Sequence, residues 1–241
     1  MLQIRNLTKN YGTHCAVDHL NLQIRPGELC AFIGHNGAGK TTTLKACCGI
    51  LDFDEGEILV GGKSIRNDPI ACKKMIAYVP DNPDLYEYMT GDAYLNFVCD
   101  IYQVGQTERM EAIRHYAQLL EMENNLYDPI SSYSHGMKQK LALIAAFSHK
   151  PKLILLDEPF VGLDPKAAHL VKELMHEHCA SGGAIFYSTH VLEVAEKLCD
   201  RVAIIKNGKL IRSGTMEEVR GDATLEDVFL ELEDDHAVET R

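Results

Sequence analysis

Eight consecutive residues, Gly34-His35-Asn36-Gly37-Ala38-Gly39-Lys40-Thr41, fit the pattern G-x-x-x-x-G-K-[ST] without a mismatch. Glycines at this spacing let the backbone curl, so that successive N–H groups point inward at phosphate oxygens. A helix that starts directly after the loop adds the positive end of its dipole. Lys40 then reaches terminal phosphates as a point charge, and the Thr41 hydroxyl can coordinate Mg²⁺. The flanks suit this chemistry, because FIG before the loop is strand-like and TTTLKACC after it is helix-like. A second group of reactive residues stands in LILLDEP, where Leu153 to Leu156 end in Asp157 and Glu158. A buried strand ending in two carboxylates puts them at the sheet's carboxyl edge, where ligands bind in open α/β sheets. Asp157 can hold Mg²⁺ directly or through water, and Glu158 can polarise an attacking water as general base. Taken alone, the same acids could instead cap the helix that begins near Pro165.

The elements that must carry these residues follow from hydrophobic periodicity. Residues 1–33 alternate apolar and polar side chains in short pieces and read as β structure. EGEILVGGKSI reads as a further strand pair and MIAYVP as a buried strand. From Met89 to about Lys150 the spacing turns helical, with Thr90, Thr107 and Ser134 as expected helix starts. Then LILLD, PKAAHLVKELMHEH, GAIFYST, HVLEVAEKLC and RVAIIK alternate β with α. Short apolar strands alternating with helices indicate a mostly parallel sheet covered on both faces. The helical middle reads as an inserted subdomain over residues 86–150. The chain divides into a body, 1–215, and a tail, 216–241.

Composition narrows the function classes. The 241 residues are 46% hydrophobic and 24% charged, ordinary for a globular protein large enough to bury a core. The formal charge is −11, and residues 216–241 carry −8 of it, with ten acids against Arg220 and Arg241. The tail therefore reads as a solvated acidic helix with a frayed end. The body is nearly balanced, so the expectation of no nucleic-acid partner rests on the motifs rather than on charge. No apolar run approaches the ~20 residues of a membrane span, and the start lacks a signal-like apolar stretch, which predicts a cytoplasmic chain. Eight cysteines without C-x-x-C spacing read as small buried hydrophobes in a reducing compartment. His176 and His178 lie two apart on a helix and point to different faces, so a solvated face is the better reading than a metal site. Lys138, Lys140, Lys150 and Lys152 read as a solvated rim.

Further segments point to a family. Tyr133-Ser134-His135-Gly136-Met137-Lys138-Gln139 resembles the ABC signature LSGGQ-x-Q in variant form, eighteen residues before Asp157. Gly162-Leu163-Asp164-Pro165 resembles the D-loop, and Ser188-Thr189-His190 the switch-histidine loop. With the phosphate loop, the chain resembles the ATP-binding subunit of an ABC transporter over roughly residues 1–230. That resemblance implies an α/β P-loop NTPase (RecA-like) core, an N-terminal antiparallel β subdomain and the inserted helical subdomain. It implies Mg²⁺-dependent ATP hydrolysis with Glu158, His190 and Lys40 as the catalytic groups. Tyr11 matches the aromatic that stacks on adenine, and Val17, Asn36, Gly37, Gly39, Lys40, Thr41 and Thr42 fall on nucleotide-binding positions. Thr41, Asp157 and Asp81 fall where Mg²⁺ is held. Ser134, Gly136 and Asp164 match residues that serve an ATP held by the opposite subunit. The resemblance thus implies a homodimer or heterodimer, docked through an integral membrane permease on the inner face of the membrane.

The departures from the family pattern are specific. Val79-Pro80-Asp81-Asn82-Pro83 puts Asp where the family usually has Gln, and an ionised carboxylate cannot donate a hydrogen bond. His135 stands at a usual Gly and Tyr133 at a usual Leu. The YSxGMKQ variant, Leu85-Tyr86-Glu87-Tyr88-Met89-Thr90-Gly91 and the tail segment Leu225-Glu226-Asp227-Val228-Phe229-Leu230 resemble export-type subunits with a separate permease. Two other readings stay open: an ABC ATPase without a permease, and a regulatory subunit that binds ATP but scarcely hydrolyses it. The groove that docks the permease is expected around Asp81 to Gly91.

Overall fold

The computed structural model describes residues 1–234 as two β-sheets, a helical insert and a C-terminal helical appendix. The first sheet is antiparallel. It takes β1 (Leu2–Tyr11), β2 (His14–Ile24), β4 (Glu55–Val60) and β5 (Lys63–Ser64), in the order β2-β1-β4-β5. β1 pairs with β2 from Leu2↔Ile24 to Tyr11↔His14, which sets Tyr11 at the tip of that hairpin.

The second sheet runs β10-β9-β3-β8-β7-β6, with β3 (Leu29–Ile33), β6 (Ile76–Val79), β7 (Leu153–Asp157), β8 (Ala184–Thr189), β9 (Arg201–Lys206) and β10 (Lys209–Thr215). All its pairings are parallel except that of the edge strand β10. Every residue of β3, β7 and β8 is buried, which is why these strands read as continuous apolar runs rather than alternating ones. Helix α1 (Lys40–Cys47) leaves β3, and α2 (Pro69–Lys73) precedes β6. The insert of α3 (Gly91–Ile101), α4 (Gln106–Leu119) and α5 (His135–Ser148) lies in the connection between the neighbouring strands β6 and β7. Next come α6 (Pro165–Ala180), α7 (Leu192–Leu198), α8 (Met216–Arg220) and α9 (Leu225–Asp234).

Local signals fix most helix starts. Thr90 Oγ1 accepts the Ala93 N–H, and Ser134 Oγ accepts the Met137 N–H. Thr107 does not cap α4: the helix starts one residue before it, at Gln106, with Gly105 at the N-cap. The tail also departs from a merely solvated helix. Val219, Leu225, Val228 and Phe229 are buried, and α9 packs on α7. Net charge over the stretch hides this apolar stripe at three- and four-residue spacing, which one face of a helix can bury while its acids stay outside. The expected fraying falls on residues 235–241, outside the described part. All eight cysteines are free, and all but Cys15 are buried.

The groove between β6 and the insert holds a titratable core group. His149 stacks on Tyr102 with ring centroids 3.6 Å apart and 9° between planes, and its Nδ1 has no hydrogen-bond partner. Burial pushes its pKa down to about 4. The unfolded chain therefore binds a proton near pH 6.5 that the folded chain refuses until about pH 4. This contribution to stability is complete above pH 6.5 and is lost as pH falls through that window. We expect unfolding free energy to drop by about 1–2 kcal/mol from this group between pH 7 and pH 5. Denaturant titrations at the two pH values check it, and His149→Phe, which keeps the ring but not the proton, should remove that part of the drop.

Candidate nucleotide site

Three adjacent strands, β3, β8 and β7, deliver the chemistry at their carboxyl ends. β3 runs into the phosphate loop, β7 ends in Asp157 followed by Glu158, and β8 ends in Thr189 followed by His190. The register Asp157↔Ser188 puts the second and third of these strand ends side by side. Strand order thus gathers residues that lie more than a hundred positions apart in the chain.

The loop is a tight turn closed by its own backbone, with Ala38 N–H donating to the His35 carbonyl at 3.1 Å. Gly39 is the N-cap of α1 at φ 107°, ψ 5°, left-handed backbone that side-chain-bearing residues rarely adopt. A Cβ there would stand 2.4 Å from the Ala16 carbonyl oxygen, so β2 also requires glycine at this position. Lys40 is almost fully buried and donates from Nζ to the Gly34 carbonyl at 2.6 Å and the His35 carbonyl at 3.2 Å. Burial lowers its pKa, an effect that Glu158 and Asp157 partly offset.

Asp157 is 1% exposed, yet both carboxylate oxygens are satisfied. Oδ2 accepts from Thr41 Oγ1 at 2.6 Å and Oδ1 accepts from Ser188 Oγ. Glu158 adopts φ 47°, a strained conformation for a non-glycine residue, of order 1–3 kcal/mol. Its N–H is held by the Ser188 carbonyl and hydroxyl, both at 3.2 Å. The strained turn aims its carboxylate at His190 Nδ1, 2.9 Å away, and at Lys40 Nζ, 4.0 Å away. Glu158 thus sits between an exposed imidazole and a buried ammonium. Ser188 orders both acids through a single hydroxyl, a role that became visible only once β8 lay beside β7.

Lys40, Thr41, Asp157 and Glu158 share a cavity of about 320 Å³, while His190 lies off its wall and reaches the site through Glu158. Its wall includes Tyr11, Asn36, Gly37, Gly39, Lys40, Thr41, Thr42, Asp81, Asp157 and Glu158, all expected from sequence, together with His14, Ala16 and His35, which sequence reading did not single out for this wall. Val17 is not on the wall: it is fully buried behind Gly39, and its neighbour Ala16, itself buried, lines the cavity instead. Tyr11 is half exposed and carries Lys9 Nζ 5.3 Å from its ring centroid. Asp81 is exposed, and its Oδ1 accepts the Asn82 N–H at 2.9 Å. Two hollows about twice as large lie elsewhere, at the opposite edge of the sheet and within the helical insert, and neither holds the phosphate loop.

The donor set suits magnesium. Mg²⁺ favours hard oxygen ligands and is held by one or two carboxylates together with substrate phosphates. The Thr41 hydroxyl and Asp157 carboxylate, already in contact, supply such donors, and Asp81 lies on the same wall. Among the described residues no group of three or more His, Cys, Asp or Glu could hold a metal unaided. Phosphate oxygens would complete the coordination.

A second cluster lies outside this cavity. Ser134 caps α5, and a Cβ on Gly136 would stand 2.4 Å from the Gly162 carbonyl oxygen. The His135 ring covers Gly162, Asp164 Oδ1 caps α6 by accepting the Ala167 N–H at 2.9 Å, and Lys140 pairs with Asp164 at 3.2 Å. The Ala167 N–H, then Lys140, hold the Asp164 carboxyl below its usual pKa. Gln139, fully buried, donates from Nε2 to the Pro159 carbonyl at 3.4 Å and so ties α5 to the turn after Glu158. Lys138 and Lys150 are paired with Glu87 and Glu108, which disperses the basic rim into ion pairs.

Known proteins share this arrangement over most of their length. The ABC transporter family model matches residues 17–161. The ABC-type transporter ATP-binding protein EcsA of Bacillus subtilis is 33% identical over 237 residues, covering 96% of each chain. The linearmycin resistance ATP-binding protein LnrL of the same organism is 33% identical over 219 residues, 91% of this chain and 70% of its own. A solved ATP-binding subunit of an ABC transporter superposes with a TM-score of 0.93 at 33% identity, over 96% of this chain and 99% of that one. The sheet that carries the phosphate loop and the paired acids thus has the fold of a known ABC ATPase cassette, and the chain belongs to the ABC transporter family as one of its ATP-binding domains.

Proposed function

We propose that this chain is the Mg²⁺-dependent ATPase subunit of an ABC exporter whose permease is a separate membrane protein. The observation that carries the chemistry is the Glu158 carboxylate, strained into place between His190 at 2.9 Å and Lys40 at 4.0 Å. Lys40 can exchange its two loop carbonyls for phosphate oxygens when ATP enters. Tyr11 offers its π face to adenine. Glu158 accepts a proton from the water that attacks the γ-phosphorus, and His190, hydrogen-bonded to that carboxylate, orients it. Magnesium held through Thr41 and Asp157, with Asp81 near, would neutralise phosphate charge.

The dimer reading rests on location. Ser134, Gly136 and Asp164 sit outside their own chain's phosphate cavity, at a surface where a second subunit could present its ATP. ATP binding then closes two subunits head to tail, and hydrolysis releases them. The partner is a second copy or a related subunit.

The export reading draws on LnrL, a relative named for resistance to linearmycin. Docking to a permease is supported by an exposed aromatic patch of Tyr86, Tyr88 and Phe97 beside the groove between β6 and the insert. Among the described residues no helix is long and apolar enough to cross a membrane, so attachment through such a partner gives the chain its place on the membrane's inner face. We take residues 1–215 as the ATPase domain, with the helical subdomain at 86–150, and 216–241 as the acidic tail.

The test is steady-state phosphate release by the purified chain with Mg²⁺ and with EDTA, alone and with its co-purified membrane subunit. Mg²⁺-dependent turnover that rises with the membrane subunit is expected. Turnover near zero in both states would point to a regulatory subunit instead, and absence of any membrane partner to an ATPase that works without one.

A further inference from the structure

The tail segment Leu225–Leu230 has a definite place against the nucleotide site. Phe229 on α9 is 8% exposed and meets the His35 ring edge-on, with centroids 5.0 Å apart and 64° between planes. His35 is the second residue of the phosphate loop and lines its cavity. Its carbonyl closes the turn onto Ala38 and accepts from Lys40 Nζ. A contact that fixes His35 from outside thus fixes the residue on which both the loop turn and Lys40 lean.

The same helix is anchored on the switch side. Leu225 N–H donates to Glu196 Oε2 of α7 at 3.1 Å, and Arg220 pairs with the other oxygen of Glu196 at 2.8 Å. Leu225 and Val228 join the core with Ala195 and Leu198 of α7. Helix α7 begins two residues after His190. At its far end α9 is held by Lys206 Nζ donating to the Leu232 carbonyl at 3.2 Å. The acidic tail therefore bridges the phosphate loop and the helix that follows the switch histidine.

We infer that Phe229 is a positioning residue for the nucleotide site, acting through His35 to hold the phosphate loop in its binding shape. The inference rests on the reading of that loop as an ATP site. An aromatic pair of this kind is worth a factor of about 2–10 in an equilibrium. The loop must pay that ordering when it binds ATP if the ring is gone.

The experiment is titration of the full-length chain with Mg-ATP, with thermal unfolding recorded beside it. Phe229→Ala is expected to weaken ATP binding about 2–10-fold, and Phe229→Tyr, which keeps the ring, to return it to within about twofold of the unaltered chain. Val228→Ala removes buried bulk from the neighbouring position of the same helix and keeps the Phe229 ring. It should lower thermal stability while leaving ATP affinity where it was. If Phe229→Ala cannot be obtained folded, Phe229→Leu carries the comparison, because it keeps bulk and loses the ring. Equal loss of affinity in Val228→Ala, or unaltered affinity in Phe229→Ala (in Phe229→Leu where that variant carries the comparison), overturns the inference. Failure of the unaltered chain to bind ATP would instead overturn the reading on which it rests.

Discussion

Glu158→Gln should reduce ATP turnover about 10²–10⁴-fold, the usual worth of a positioned general base, while ATP binding persists. The amide matches the carboxylate in size and can still hydrogen-bond His190, so the strained turn held by Ser188 has no reason to collapse. What disappears is the basic oxygen that takes the proton. The change also removes a negative charge that lies 4.0 Å from Lys40 and close to the place of an anionic γ-phosphate. Lys40 keeps Asp157 as a nearby anion, and the phosphate loses a repelling neighbour, so ATP affinity should hold or rise. Bound but unhydrolysed ATP would then accumulate the closed dimer. Phosphate release, ATP titration and sizing of the ATP-loaded protein check the three parts. Turnover at the unaltered rate would remove Glu158 from the role of base.

How far the chain could be read without coordinates depended on whether a feature was local. The phosphate loop is eight contiguous residues whose conformation follows from its glycines and the helix behind them. Asp157 and Glu158 announce themselves by ending an apolar run, and the fully buried strands β7 and β8 are apolar up to the polar residues at their carboxyl ends. Ser188 was legible only as a neighbour of His190. Its hold on Asp157 and Glu158 needs β8 beside β7 in one register, which local pattern does not contain. The same holds for Gln139 reaching Pro159 and for the backbone contact between Gly136 and Gly162. Val17 shows the opposite limit. Alternation along β2 decides whether residue 16 or residue 17 faces the cavity, and one step of register separates a wall from the core. In the tail, ten acids outweighed Leu225, Val228 and Phe229 in any count, although only the spacing of the three apolar residues decides docking.

Gly39→Ala should be the most destructive single-methyl change at the site. Two penalties fall together there. The residue keeps φ 107°, and forcing a side-chain-bearing residue into such a conformation costs about 1–3 kcal/mol. The new Cβ would also lie 2.4 Å from the Ala16 carbonyl oxygen and 3.3 Å from Ile205 Cδ1. The first of these is backbone of β2, which cannot swing aside as a side-chain end can, and overpacking of this sort adds about 1–3 kcal/mol. The expected loss of unfolding free energy is therefore about 2–6 kcal/mol, a large share of the stability of a typical domain. Relief by moving the loop away from β2 would displace the start of α1 and with it Lys40 and Thr41, so ATP binding should fall even where the protein stays folded. Gly37 is the internal control. It lies in the same loop at φ 83°, but a Cβ there meets nothing within 4 Å. Gly37→Ala should carry the conformational penalty alone, about 1–3 kcal/mol. Denaturant unfolding of both variants, with ATP titration of the folded fraction, separates strain from close approach: equal destabilisation in the two would mean that the Ala16 carbonyl does not set the cost at Gly39.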